Sequence, residues 1–134
     1  MTPRLLAIAL LLVGSVGAQA QATQAACAEE ASTPRINACL QRVLEARDKV
    51  LAAEVQRARA VWRERDALAA REGTVFRVGP ALEKSQQAWE AYREQECSAR
   101  ALTYGYGTGA AAESLRCMIE LTEQRTDAIA RHWR

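Results

Sequence analysis

The chain has 134 residues, of which 25% are charged and 49% are hydrophobic, and its formal net charge is +2. A chain of this length forms one domain with one modest core. The near-balance of charge argues against a nucleic-acid partner or an anionic-membrane surface, because both need clustered lysines and arginines on one face.

The first residues have the pattern of a secretory signal peptide. Arg4 precedes an apolar run, Leu5 to Val13, and small residues follow it up to the sequence Ala-Gln-Ala. The run is shorter than the roughly 20 apolar residues that cross a bilayer. Residues 1–22 are therefore predicted to be a cleaved leader, and no integral membrane span is expected.

Cleavage after Ala20 or Ala22 suits the Ala-x-Ala rule, so we expect a periplasmic or secreted domain over residues 23–134. Its net charge is +1, because the leader contains one basic residue and no acidic one. A lipoprotein anchored at Cys27 is the alternative. The residues before that cysteine lack the aliphatic side chain that a lipidation site requires.

A long first helix is predicted from Thr33, as N-cap, with Pro34 at its first position. Between Pro34 and Glu72 the chain has no glycine or proline. Apolar residues recur there at steps of three, four and seven, which is one helical face. They are Leu40, Leu44, Leu51, Val55, Ala58, Trp62 and Ala69.

Two further helices are predicted after the loop GTVFRVGP. Pro80 is expected to open the second helix, which runs to about Leu102, where the sequence YGYGTG from Tyr104 to Gly109 interrupts it. The third helix is expected to start near residues 112–114 and to run toward the C-terminus. The predicted fold class is all-α: a three-helix antiparallel bundle with a long first helix, cross-linked by disulfides.

Four cysteines remain after cleavage, Cys27, Cys39, Cys97 and Cys117. An even count in an exported protein indicates disulfides, with three connectivities to choose from. Cys27 precedes the first helix and Cys39 lies in its first turns, whereas Cys97 and Cys117 flank the glycine loop. These positions predict the local pairs Cys27–Cys39 and Cys97–Cys117.

The sequence offers no catalytic or metal-binding constellation. The cysteines lack the close spacing of a zinc site, and the one histidine, His132, is near the chain end. No Gly-x-Ser-x-Gly motif is present, and no free thiol is expected. We therefore predict that the protein is not an enzyme and that it binds no metal and no cofactor.

Two charged residues fall on the apolar faces. Asp48 lies between Leu44 and Leu51 on the first helix, and Arg125 shares the buried face of the third. Because an unpaired buried charge costs several kcal/mol, we expect these residues to meet each other or to meet Arg93. The alternative reading is a catalytic carboxylate beside an arginine.

The sequence AWEAYREQEC places five residues on one face of the second helix: Trp89, Tyr92, Arg93, Glu96 and Cys97. We expect Trp89 and Tyr92 to fill the space between helices and Cys97 to tie the helix end. Glu94 and Glu96 diverge by about 200° on a helix, which argues against a pair of catalytic carboxylates.

The sequence QQAWEAYREQEC, followed by a further cysteine and by LTEQR, resembles the LprI-type lysozyme inhibitors, a family of exported bacterial proteins. The resemblance covers nearly all of residues 23–134. Asp48 with Leu51 matches the family's Asp-x-x-Leu-Asn motif, although Ala52 replaces its asparagine. The matching positions are also those assigned above to the scaffold: Asp48, Trp89, Tyr92, Arg93, Cys97, Cys117 and Arg125.

The resemblance implies an inhibitor that acts by binding a protein, lysozyme. The candidate contact is the glycine loop, with Tyr104, Gly105, Tyr106 and Gly107, because rigid aromatic rings and glycines are typical of binding loops. In the alternative, the tyrosines fold back on their own helices and the glycines only form the turn. The second functional hypothesis is an envelope interaction module that uses a helix face, which surplus exposed apolar surface would favour.

Overall fold

The computed structural model describes residues 25, 27–75, 77–105 and 107–134 and shows three helices. They are α1, Thr33–Arg71; α2, Val78–Leu102; and α3, Ala110–His132. The described residues contain no strand, so the predicted all-α bundle is confirmed. The predicted leader, residues 1–22, and Tyr106 lie outside the described residues.

The first two helices have boundaries within two residues of those that the sequence predicts, and the third begins two to four residues earlier than predicted. Ser32 rather than Thr33 occupies the N-cap of α1, in extended backbone (φ −156°, ψ 153°), and makes no capping hydrogen bond with its side chain. After α1 the chain turns back at Gly73, whose φ of +76° suits glycine. The Thr74 N–H then donates to the carbonyl of Ala69 at 2.9 Å.

The second helix begins at Val78, before the predicted Pro80, because a side chain of α1 caps it. The Asp66 carboxylate accepts hydrogen bonds from the N–H groups of Val78 and Gly79 at 2.9 and 2.8 Å. A Cβ on residue 79 would lie 3.0 Å from Asp66 Oδ2, so glycine allows this close approach. The carboxylate also offsets the positive end of the helix dipole.

Three apolar clusters form the core, and α3 packs against both other helices. The first cluster contains Cys27, Leu40, Val43, Leu44, Ala112 and Ile119. The second contains Leu51, Val55, Ala58, Leu82 and Ile129, and the third contains Cys97, Cys117 and Leu121. Because α1 and α2 contact each other least, a cleft of about 250 Å³ follows the line between them.

Both disulfides lie at one end of the bundle. Cys27 is bonded to Cys39, with a Cα–Cα distance of 5.6 Å, and Cys97 to Cys117, with 5.4 Å. These are the pairs that the sequence predicts. Cys27, Cys97 and Cys117 are almost fully buried, so the bridges are also part of the core.

Basic and acidic residues are interspersed along the sequence, but in the antiparallel bundle they are unequally divided between the two ends. We call residues 57–86 and 129–134 the basic half, because they contain nine basic and four acidic residues, a net charge of +5. We call residues 27–56 and 87–128 the disulfide half; they contain eight basic and twelve acidic residues, a net charge of −4. The small overall charge therefore hides a strong asymmetry, contrary to the even distribution that it suggested.

Candidate functional site

The loop between α2 and α3 is a tight turn held by its own backbone. The N–H groups of Tyr104 and Gly105 donate to the carbonyls of Ala101 and Leu102 at 3.1 and 3.0 Å. Gly105 has a φ of +62°, which a residue with a Cβ rarely adopts. The Gly107 N–H donates to the Tyr104 carbonyl at 3.4 Å, and the Cys97–Cys117 bond fixes the two helices beside the loop.

Tyr104 lies half exposed on this loop. Its relative accessibility is 54%, and one edge of its ring faces Gly109, where an added Cβ would lie 3.5 Å from Cδ1. Tyr104 is therefore not buried against its own helices, and its role as a binding residue stays a prediction. Of the other predicted contact residues, Gly105 and Gly107 shape the turn, and Tyr106 lies outside the described residues.

Leu102 is a neighbouring residue that the sequence analysis missed. It ends α2 directly before the loop and is 74% exposed. Together with Tyr104 it forms an exposed apolar pair. The sequence does indicate this exposure. Leu102 lies at the predicted end of the second helix, and the apolar spacing of α2 leaves the last turn of that helix outside the core.

The predicted ion pair within the bundle joins Asp48 to Arg93. The Arg93 guanidinium donates to Asp48 Oδ1 at 2.5 Å and to Thr122 Oγ1 at 2.7 Å, which links all three helices. The ring of Trp89 lies 4.9 Å from the Arg93 guanidinium carbon. Arg93 thus fixes the register of the helices at the end of the cleft that Asp48 and Trp89 also line.

Arg125 differs from the prediction, because its partners are neutral. It donates to Gln86 Oε1 at 3.1 Å and to Ser85 Oγ at 2.9 Å, and among the described residues it forms no ion pair. Burial lowers the pKa of its guanidinium from the usual value, since desolvation disfavours the charged form. The sequence offered Arg125 or Arg93 as the partner of Asp48. The structure shows the ion pair with Arg93 and none with Arg125 among the described residues.

The prediction for Tyr92 was also wrong. The sequence placed Tyr92 with Trp89 between the helices, but Tyr92 is 51% exposed. Trp89 is partly buried and packs against two of the apolar clusters. Successive helical residues are about 100° apart, so Tyr92 lies outside the strip on which Arg93 and Cys97 contact α3.

The cleft between α1 and α2 contains carboxylates, arginines and amides. In the described part of the chain its lining has no Ser, Thr, Cys, His or Tyr, and no three His, Cys, Asp or Glu side chains are placed to hold a metal ion. No described helix has an apolar stretch long enough to cross a bilayer. Asp48 and Arg93 are committed to each other and to Thr122, which suits a role in holding the helices together.

Fold and loop together define a small disulfide-bonded helical bundle with one exposed tyrosine loop. A family model described as lysozyme inhibitor LprI matches residues 17–129, most of the chain. The chain belongs to the LprI family, as the resemblance predicted. The family description is that of an inhibitor rather than an enzyme, which implies a protein partner. No curated protein and no solved structure gave a match.

Proposed function

We propose that this protein is an exported inhibitor that binds lysozyme through the loop between α2 and α3. The observation that carries the proposal is membership of a family described as lysozyme inhibitors over residues 17–129. Export is proposed from the leader-like residues 1–22, with cleavage after Ala20 or Ala22, and it suits a partner outside the cytoplasm. Disulfide bonds are also typical of proteins in oxidising compartments.

The loop is proposed as the contact because it is both exposed and rigid. Tyr104 and Leu102 present apolar surface to solvent, while the disulfide and the backbone hydrogen bonds hold their positions. A surface that is already ordered loses little conformational entropy on binding. Exposed tyrosines often supply a large share of the binding energy at protein interfaces.

The charge of the surrounding half supports a cationic partner. The disulfide half, where the loop lies, has a net charge of −4. Such a field speeds the encounter with a positively charged surface and is screened by salt. We therefore expect the association rate constant to fall as the ionic strength rises, with a smaller change in the dissociation rate constant.

A lysozyme activity assay with the oxidised protein, residues 23–134, tests the proposal. We expect cell-wall lysis to slow at about equimolar amounts of the protein. Replacing Tyr104 and Tyr106 by alanine should remove inhibition with little loss of stability, because loop side chains contribute little to a core. Normal lysis in the presence of excess folded protein would contradict the proposed function.

Tyr92→Ala is the matched control. Tyr92 and Tyr104 are exposed to 51% and 54%, but Tyr92 lies on the side of α2 and not on the loop. We expect Tyr92→Ala to leave inhibition unchanged. If both substitutions weakened inhibition equally, the loop would not be the contact surface.

The distribution of exposed apolar residues favours a loop contact over a helix-face module. Among the described residues, the two large apolar side chains with the highest exposure, Val75 and Leu102, lie at connections between helices. On the helices, Val50, Leu68 and Tyr92 are only 48 to 51% exposed, and half-exposed apolar residues of this kind are ordinary on a protein surface. Binding of an envelope component through a helix face is therefore not proposed.

A further inference from the structure

The connection between α1 and α2, at the opposite end from the disulfides, exposes two large apolar side chains. Val75 is 86% exposed, and Leu68, in the last turns of α1, is 51% exposed. The turn that precedes Val75 is held by backbone hydrogen bonds, including Thr74 N–H to the Ala69 carbonyl at 2.9 Å. Val75 is thus held in solvent by the turn and is not positioned to reach the core.

Three arginines lie near these side chains along the chain. Arg63, Arg71 and Arg77 are exposed, and within the described residues none of them forms an ion pair. We call Leu68, Arg71, Glu72, Val75 and Arg77 the tip. Glu72 lies in the turn and reduces the net charge of the tip. Even so, the basic half has a net charge of +5, so the tip lies in a positive field.

A hollow of about 440 Å³ lies beside the tip, between α1 and the start of α2. Arg63 and Arg77 line it, with Ala67 and Pro80 as apolar parts of its wall. The two carboxylates that line the hollow already accept hydrogen bonds from other groups of the protein. Glu83 binds Arg59 through two hydrogen bonds, at 2.5 and 2.7 Å, and Asp66 caps α2.

We propose that this tip is a peripheral contact for a bilayer with anionic phospholipid headgroups. Val75 and Leu68 enter the interface between headgroups and acyl chains, and Arg63, Arg71 and Arg77 meet the phosphates. Apolar side chains within a basic rim are the combination that binds such surfaces, since burial and electrostatic attraction add. An acidic protein would also match the arginines, so its binding is a separate outcome of the test.

The contact would orient the molecule. The basic half would face the membrane, and the disulfide half, with Tyr104 at its far end, would face away from it. A membrane-bound molecule would therefore keep its proposed lysozyme contact accessible. The inference goes beyond the proposed function and does not depend on it, because the two surfaces lie in opposite halves.

Vesicle sedimentation with the oxidised protein, residues 23–134, which contains every described helix, tests the proposal. We expect binding to vesicles that contain phosphatidylglycerol, weak binding to pure phosphatidylcholine, and release at high salt. Each of Arg71→Gln and Arg77→Gln should lower the partition constant about fivefold, since a basic side chain near such a surface contributes about 1 kcal/mol. Val75→Ser should lower it about tenfold through lost apolar burial.

Val50→Ser is the matched control, because Val50 is an exposed valine of the disulfide half. We expect it to bind vesicles like the unchanged protein. Equal binding to both lipids, or equal losses for Val50→Ser and Val75→Ser, would overturn the proposal. So would capture by immobilised polyglutamate through the same arginines without vesicle binding, which would indicate an acidic protein instead. Failure of this test leaves the lysis assay unaffected, so the two proposals can fail separately.

Discussion

The two halves of the bundle are held together by different interactions. In the disulfide half, two covalent bridges are buried among the apolar side chains of α1, α2 and α3. In the basic half, Trp62 and Trp133 pack edge to face with their ring centroids 6.5 Å apart. Arg65 covers Trp62 and donates to the Arg134 carbonyl at 3.1 Å.

The covalent bridges and the net positive charge therefore lie in different halves of the molecule. The half with the covalent bridges also presents the tyrosine loop, whereas the half without them carries the net positive charge and the exposed apolar tip. The basic half shares the apolar cluster of Ala58, Leu82 and Ile129, but its other contacts are polar or partly exposed, so each of those contributes little. We expect the disulfide half to be the more stable one and the basic half to open first in local unfolding.

The largest effect on this comparison is expected from Trp89, because it connects the halves. Its side chain packs against the cluster that contains Ala58, Leu82 and Ile129 and also against the cluster of Cys97. Trp89→Ala should lower the free energy of unfolding by about 3 to 4 kcal/mol, as large aromatic truncations do. Urea denaturation measures this.

Tyr92→Ala is its control, with an expected change within about 0.5 kcal/mol, as for an exposed residue. A Trp89→Ala variant as stable as Tyr92→Ala would show that Trp89 is not part of the core. If Tyr104→Ala lost as much stability as Trp89→Ala, and inhibition fell only in proportion to unfolding, the loop would be packing and not a binding site.

The sequence was sufficient for the features that local patterns determine. Helix spacing predicted the three helices and the strip containing Leu40, Leu51 and Ala58, and cysteine positions predicted both bridges. Periodicity does not give the width of the buried strip, so Tyr92 was placed inside. It also does not reveal that Asp66 of α1 would cap α2.

The distribution of charge over the surface could not be predicted from the net charge of the sequence. A net charge of +1 for residues 23–134 gave no sign of a basic surface. Folding the chain back on itself brings residues near 60, 80 and 130 to one end, where basic residues outnumber acidic ones by nine to four. Electrostatic surfaces depend on topology, which composition does not contain.

Removing the Cys97–Cys117 bridge should sharpen the comparison. Replacing both cysteines by alanine should lower the free energy of unfolding by about 3 kcal/mol, because the bridge closes a loop with a sequence separation of 20. Hydrogen exchange should then rise around the tyrosine loop, and inhibition should weaken. The same change at Cys27 and Cys39 should cost a similar amount and leave the loop protected. Equal loop exchange in both variants would show that the loop does not depend on its neighbouring bridge.

In the basic half, Asp66→Ala removes the carboxylate that caps α2. The N–H groups of Val78 and Gly79 then lose their acceptor, and the expected cost is about 1 kcal/mol. Glu64→Ala, two residues away and exposed, is the control and should change stability little. Faster hydrogen exchange at the start of α2 should accompany the Asp66 change only. Equal free energies of unfolding for the two variants would show that the Asp66 carboxylate does not stabilise the start of α2.

The smallest expected effects concern pH and differ in sign between the halves. In the basic half, the hydrogen bond from Arg59 lowers the pKa of Glu83 below 4.5. In the disulfide half, desolvation raises the pKa of Glu123 above 4.5, although Arg47 pairs with it at 2.8 Å. Burial outweighs the ion pair there, because the Glu123 side chain is only 20% exposed, and Asp127 and Glu120 also oppose ionisation.

The sign of each contribution follows from proton binding. Glu83 binds a proton less readily in the folded state, so its stabilisation is present above pH 4.5 and is lost as the pH falls through its lowered pKa. Glu123 binds a proton more readily in the folded state, so stability rises as the pH falls from neutral through its raised pKa. Urea midpoints of Glu83→Gln and Glu123→Gln, relative to the unchanged protein, should therefore shift in opposite directions on acidification. We expect differences of a few tenths of a kcal/mol, because solvent screens the Glu83 pair and because burial and the Arg47 pair act in opposite directions on Glu123. Parallel shifts in the two variants would contradict the assignment of burial to Glu123 and of pairing to Glu83.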